Sequence, residues 1–230
     1  MTKKIIGVLG GMGPESTAIF YHALIIQCQR QYGAKHDHDY PEIFIYNLPI
    51  PPIVEGIRNP EKTLKILIKG AKRLESIGVD FIVMPCNTAH YFYDQLRKGV
   101  SIPFLSIVEE TANKIVSSNY KQVGLLATDA TISEQIFKTN FEKRKIQFLV
   151  PMNQKIMAGI IMNILSGKIL DSDKQMLLNI MNELVERGAE AVVLGCTDLP
   201  ILIHPEDTAI KLIDTIQVLA ESTIRFAVPT

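Results

Sequence analysis

The chain contains one motif twice. Residues 72–88 read KRLESIGVDFIVMPCNT and residues 182–198 read NELVERGAEAVVLGCTD, and the two align without a gap, so that Leu74 faces Leu184, Gly78 faces Gly188 and Cys86 faces Cys196. Each copy is a helical pattern closed by Gly, a short apolar run, then Pro or Gly, Cys, and an amide or hydroxyl residue. An apolar run after a Gly-terminated helix is the pattern of a parallel strand buried on both faces. The residues after such a strand lie at its carboxyl end, where open α/β sheets bind ligands. The repeat therefore demands two similar α/β units, each with a thiol at its binding edge. A lone Cys in an apolar run is usually a small core hydrophobe, and Cys28 in ALIIQCQRQ is read that way. Packing does not require two at matched positions, each followed by polar residues. A helix start close behind each thiol is expected to favour the thiolate.

The similarity extends beyond the cysteines. KIIGVL at residues 4–9 is a strand leading through GGMGPEST into a helix over 17–30, and QVGLLA at 122–127 matches it, followed by TDATISE as a polar turn. The first unit continues with a strand at 42–47, a Pro-rich connector LPIPPIVEGIRNP suited to a lid, a helix from Pro60 ending at Gly, the cysteine strand, a short helix at 89–98 and a strand at 102–105. The second begins near Ser106, whose hydroxyl and the following Glu109 and Glu110 are a helix-start signal. It runs through a helix over 133–145, the strand IQFLV, helices over 153–187 broken near Gly167 and Asp171, the second cysteine strand, a strand around AIKLI and a last helix packing back on the first unit. The expected domains are residues 1–105 with 213–230, and 106–212.

Composition narrows the function. With 24 Lys plus Arg against 24 Asp plus Glu, no net field draws in nucleic acid or an acidic membrane. No apolar run approaches the roughly 18 residues of a membrane span, and no secretory leader is legible, so a cytoplasmic protein with reduced thiols is expected. The cysteines have no metal-site spacing, and His36 and His38 in AKHDHDYP read as a solvated loop, so no metal is expected. The Gly-rich turn lacks the strict dinucleotide spacing and suits a small carboxylate better than a nucleotide.

Two such units facing each other present one thiol from each side to a molecule between them. Inversion at a carbon acid needs that arrangement: one group removes a proton from one face while the other delivers a proton to the opposite face. A thiol of pKa about 8.5 can serve as either. Asn87, Thr88, Thr128 and Thr197 are placed either to hold a carboxylate and the charge that develops as the proton leaves, or to cap the helices behind them. His90 is either an orienting group or an ordinary helix-face histidine.

GGMGPEST, MPCNTAH, GLLAT and GCTDLP, in this order over essentially the whole chain, resemble the aspartate/glutamate racemases. The resemblance implies two flavodoxin-like domains related by pseudo-two-fold symmetry with the active site between them. It also implies racemisation of an amino-acid substrate without pyridoxal phosphate or other cofactor, and a homodimer. Cys86 and Cys196 correspond to the acid/base pair, Asn87, Thr88, Thr128 and Thr197 to the shell around substrate carboxylate and ammonium, and Met12 to the pocket lining. Three positions depart from the aspartate-specific pattern: Ile53 stands where an Arg clamps substrate carboxylate, Leu165 stands where a Lys is found, and Asp198 replaces Glu behind the second thiol. Aspartate or a related amino acid is the substrate that the family implies, whereas loss of both clamps argues for a neutral or apolar side chain unless Arg58, Lys62 or Lys168 compensates. A maleate isomerase, a hydantoin racemase and a catalytically silent small-molecule binder are the rival readings.

Overall fold

The computed structural model describes residues 3–228. In chain order the first half comprises β1 (Ile6–Gly10), α1 (Pro14–Tyr32), β2 (Ile43–Asn47), α2 (Pro60–Ser76), β3 (Phe81–Val83), α3 (Tyr93–Gly99), β4 (Phe104–Leu105) and α4 (Ile107–Ser117). The second comprises β5 (Gln122–Leu126), α5 (Asp129–Ser133), α6 (Lys138–Lys143), β6 (Gln147–Leu149), α7 (Gln154–Leu165), α8 (Asp171–Glu186), β7 (Ala191–Leu194), β8 (Leu212–Asp214) and α9 (Thr215–Ala227). Each half forms a four-stranded parallel sheet of the same order, β2-β1-β3-β4 and β6-β5-β7-β8. The chain is thus an α/β protein of two similar parallel sheets. The ends of the expected first domain, residues 1–2 and 229–230, lie outside the described residues.

Strand alternation divides the apolar residues among three interiors. Ile6, Val8, Phe81 and Val83 from the first sheet, with Val123, Leu125, Ala191 and Val193 from the second, share one cluster with residues of α1, α4 and α9. Leu9, Ile82 and Met84 face the opposite side, against Leu67, Ala71 and Leu74 of α2 and Leu96 of α3. Leu126, Val192 and Leu194 likewise pack outward on α7 and α8. The two sheets are thereby locked together through their inner helices.

The last helix returns to the beginning of the chain. α9 packs on α1 and α4. The Lys4 amide donates to the Ala227 carbonyl at 2.9 Å, Gln31 Nε2 donates to the Glu221 carbonyl at 2.9 Å, and Phe226 meets Phe81 edge-on at 4.8 Å.

Local chemistry accounts for several element ends. Ser106 accepts the Glu109 amide at 3.2 Å and starts α4, and Gly33, at φ 73°, closes α1. Two expectations need correction. TDATISE is not merely a polar turn, because Thr128 accepts the Thr131 amide at 3.1 Å and nucleates the short helix α5. The helix expected over 133–145 is confined to α6, since Gln135 takes a positive φ of 54° and interrupts it.

Candidate active site

The site begins with the turn after β1. Gly11 stands at φ 93°, and its amide donates to Thr17 Oγ1 at 2.9 Å while that hydroxyl donates to the Gly13 carbonyl at 2.9 Å. A Cβ on Gly11 would meet the Leu48 amide nitrogen at 2.6 Å and its carbonyl oxygen at 2.7 Å. Backbone cannot yield as a side chain does, and positive φ adds strain. Gly11→Ala is therefore expected to destabilise the fold by about 3 kcal/mol, read as a lower midpoint in urea unfolding.

The carboxyl ends of both sheets open on one cavity of about 140 Å³. Cys86, Asn87 and Thr88 follow β3, Cys196, Thr197 and Asp198 follow β7, Thr128 follows β5, and all of them line it. Met12 and Gly13 close it from the Gly-rich turn, and Leu165 from the end of α7. Residues 50–54 of the Pro-rich connector, Ile53 included, form a further wall, and the Ala130 amide donates to the Val54 carbonyl at 3.3 Å, fastening that loop to α5 of the other half. His90 is set back from the cavity, behind Cys86.

The thiols are buried, Cys86 at 6% and Cys196 at 5% exposure. The chain does run into helical turns after each, at Thr88–Phe92 and Leu199–Ile201, and the Thr88 and Ala89 amides favour a thiolate at Cys86. Desolvation outweighs them, however, and with the charge of Asp198 pushes the Cys86 thiol up to about 12. Burial followed by Asp198 raises Cys196 as well. The expectation of a lowered thiol pKa is thus overturned: burial keeps both thiols neutral.

The hydroxyl and amide groups form a second layer across the halves. Thr88 Oγ1 lies 3.0 Å from Thr128 Oγ1 and 2.9 Å from Thr131 Oγ1, and the Thr128 hydroxyl donates to Thr131 at 2.9 Å. Thr128 both caps α5 and lines the cavity, while Asn87 and Thr88 make no capping hydrogen bond. Asn87 Nδ2 donates to Thr215 Oγ1 at 3.0 Å, leaving its buried Oδ1 without a partner. His90 Nε2 accepts the Ile107 amide at 3.2 Å, which leaves the ring proton on Nδ1 to be donated to the Cys86 carbonyl at 2.7 Å. Burial lowers this imidazole to about 4, so it is neutral and buttresses the Cys86 backbone.

Among the described residues, Asp198 is the one charged side chain lining the cavity. Its Oδ2 lies 3.6 Å from Cys196 Sγ, its Oδ1 accepts from Ser16 Oγ, and burial raises its pKa. Arg58, Lys62 and Lys168 do not reach the cavity wall, and Arg58 instead sits beside Glu55 at 3.8 Å. Sequence reasoning missed Ser16, Thr131 and Thr215; the spacing of Thr131 three residues after Thr128, as in a capping pair, was the one available signal. Among the described residues, no group of three or more His, Cys, Asp and Glu could hold a metal ion, and no helix is long and apolar enough to cross a membrane.

The family model for Asp/Glu/Hydantoin racemase matches residues 9–223. Over 226 residues the chain is 36% identical to the broad specificity amino-acid racemase RacX of Bacillus subtilis (strain 168), covering 96% of each. It is 26% identical over 170 residues to a glutamate racemase of Persephonella marina, covering 72% of this chain and 64% of that one. An aspartate racemase homologue from Pyrococcus horikoshii OT3 superposes with a TM-score of 0.82 at 28% identity, covering 97% of this chain and 99% of the other. The aspartate racemase of Picrophilus torridus gives 0.79 at 30% identity, covering 97% and 94%.

Proposed function

Because the chain belongs to the Asp/Glu/hydantoin racemase family, we propose that it interconverts the L and D forms of amino acids with neutral, largely apolar side chains, using Cys86 and Cys196 as the two proton-transferring groups. The observation that carries this reading is the cavity itself, with a thiol from each half, no cationic residue in its wall among the described residues, and Met12, Ile50, Ile53, Val54 and Leu165 around it. The aspartate side chain that the family pattern implies would bring a second carboxylate beside Asp198 with nothing to pair it.

The mechanism is built from the groups present. The α-ammonium of the substrate is held by Asn87 Oδ1, a buried acceptor with no hydrogen-bond partner. Hydroxyls of Thr88 and Thr128, backed by Thr131, turn to the α-carboxylate, joined by Thr197, and oppose the negative charge that grows there as the Cα proton departs. The incoming cation stabilises a thiolate that burial alone forbids. Cys196 passes its proton to Asp198, and the thiolate removes the Cα proton from one face. Cys86 delivers the proton of its own thiol to the other face. The opposite enantiomer runs the same steps backward: Cys86, left as the thiolate with Asp198 protonated, removes the Cα proton, Cys196 delivers its own to the other face, and Asp198 returns its proton to Cys196; solvent carries the Asp198 proton back to Cys86 when no substrate is bound. His90 holds the Cys86 backbone in place, and no cofactor enters any step.

The test is chiral chromatography of reaction mixtures containing the reduced protein and single L-amino acids, from aspartate and glutamate to leucine and methionine. D-enantiomer formed from apolar substrates without any additive is the expected outcome. No D product from any amino acid, with a folded and reduced protein, would remove the proposal.

A further inference from the structure

The two thiols are not equivalent. Asp198 lies against Cys196, with Oδ2 3.6 Å from Sγ, whereas among the described residues no carboxylate hydrogen-bonds to the Cys86 side chain, which has the Thr88 and Ala89 amides as its local donors. Asp198 in turn is held from the other half of the molecule: Ser16 Oγ donates to Oδ1. Ser16 is completely buried in the first turn of α1, and Asp198 is 5% exposed beyond β7. A carboxylate with one oxygen fixed by a hydroxyl cannot rotate freely, so its second oxygen is kept on the sulfur.

Resting on the racemase reading, we propose that Ser16 is a positioning residue for Cys196: its hydroxyl fixes Asp198 so that Oδ2 receives the Sγ proton, and it makes the proton acceptor of one thiol depend on contact between the two halves. The step is balanced within the site. The S–H bond of Cys196 breaks, an O–H bond forms on Asp198, and the charge moves from carboxylate to sulfur. Cys86 has no carboxylate against its sulfur among the described residues and becomes a thiolate by giving its proton to the substrate carbon or to solvent.

The hydroxyl also sets when Asp198 can act. Burial raises the Asp198 carboxyl and the charge of nearby Glu15 adds to this, while hydrogen bonds from Ser16 and Cys196 oppose it. Cys196 and Cys86 are the other ionisable groups facing it, both neutral at rest. Removing the Ser16 donor takes away stabilisation of the carboxylate alone, so Asp198 titrates at higher pH, and the acid limb of the rate profile, where it must lose its proton to accept another, moves up.

The experiment compares pH–rate profiles of wild type, Ser16→Ala, Ser16→Gly, Asp198→Asn and the double variant Ser16→Ala/Asp198→Asn, alongside a ¹³C NMR titration of the Asp198 carboxyl. That signal is assigned by its loss in Asp198→Asn. The expected result is an acid limb and a carboxyl titration both raised by about one pH unit in Ser16→Ala, lower kcat below the limb with little change in KM, and no further loss when Ser16→Ala is added to Asp198→Asn. Ser16→Gly removes the same hydroxyl with no new atom and is expected to match. An unmoved carboxyl titration, or losses that multiply in the double variant, would overturn the assignment. Because the titration needs no substrate, it decides the Ser16–Asp198 coupling even if wild type turns over no amino acid, which is the separate outcome that removes the racemase reading.

Discussion

Alanine in place of either Cys86 or Cys196 is expected to lower interconversion of enantiomers by about 10³-fold, the scale of a lost general acid or base, while the fold persists. Each thiol serves one face of the substrate carbon, so removing one leaves the other able to take a proton from a single enantiomer and return it to the same face. Cys86→Ala and Cys196→Ala should therefore exchange the α-proton of opposite enantiomers with solvent and invert neither. Both cysteines are buried, but each loses only one sulfur atom at the edge of a cavity, so cavity formation in the core is not the cause. Equal loss of exchange for both enantiomers in both variants would instead mean that a single thiol does all the work. Proton NMR in deuterated buffer with each pure enantiomer distinguishes these outcomes.

The second large effect concerns the side chain of the substrate. A carboxylate buried in this wall finds no cation among the described residues that line it and shares the space with Asp198, at a cost of about 3 kcal/mol or more, which is roughly 10²-fold in kcat/KM. Wild type should accordingly favour leucine or methionine over aspartate by at least about that factor. Introducing a cation at the wall, as Ile53→Arg or Ile53→Arg with Leu165→Lys, should raise kcat/KM for aspartate by roughly 10²-fold and lower it for apolar substrates. A wild type that already prefers aspartate would contradict this account of the wall.

How far the sequence carries this picture depends on the range of the interactions. The sheets were legible because the repeat fixes local patterns: an apolar run buried on both faces, and a Gly-closed helix before it, recur at Phe81–Val83 and Ala191–Leu194. The same reasoning brought Cys86, Cys196 and their polar neighbours to one edge, and Ser106 to a helix start. Ser16 was hidden because its partner lies 182 positions away and meets it when the halves face each other. Thr215, 128 positions from Asn87, was hidden for the same reason. The thiol pKa was misread because helix-start amides are visible in sequence while desolvation is a property of the closed cavity. At Gln135 a single left-handed residue ended a pattern that periodicity alone extends.

The most direct measurement of the central claim is the isotopic content of both enantiomers early in the wild-type reaction, started from a pure L-amino acid in deuterated water and followed by chiral separation and mass spectrometry. Two thiols on opposite faces predict D product carrying deuterium at Cα while the remaining L substrate keeps its protium, with the mirror result from the D side. Protium retained in the D product, or deuterium appearing in both enantiomers equally from the first turnovers, would contradict the two-thiol mechanism and require one group to act on both faces.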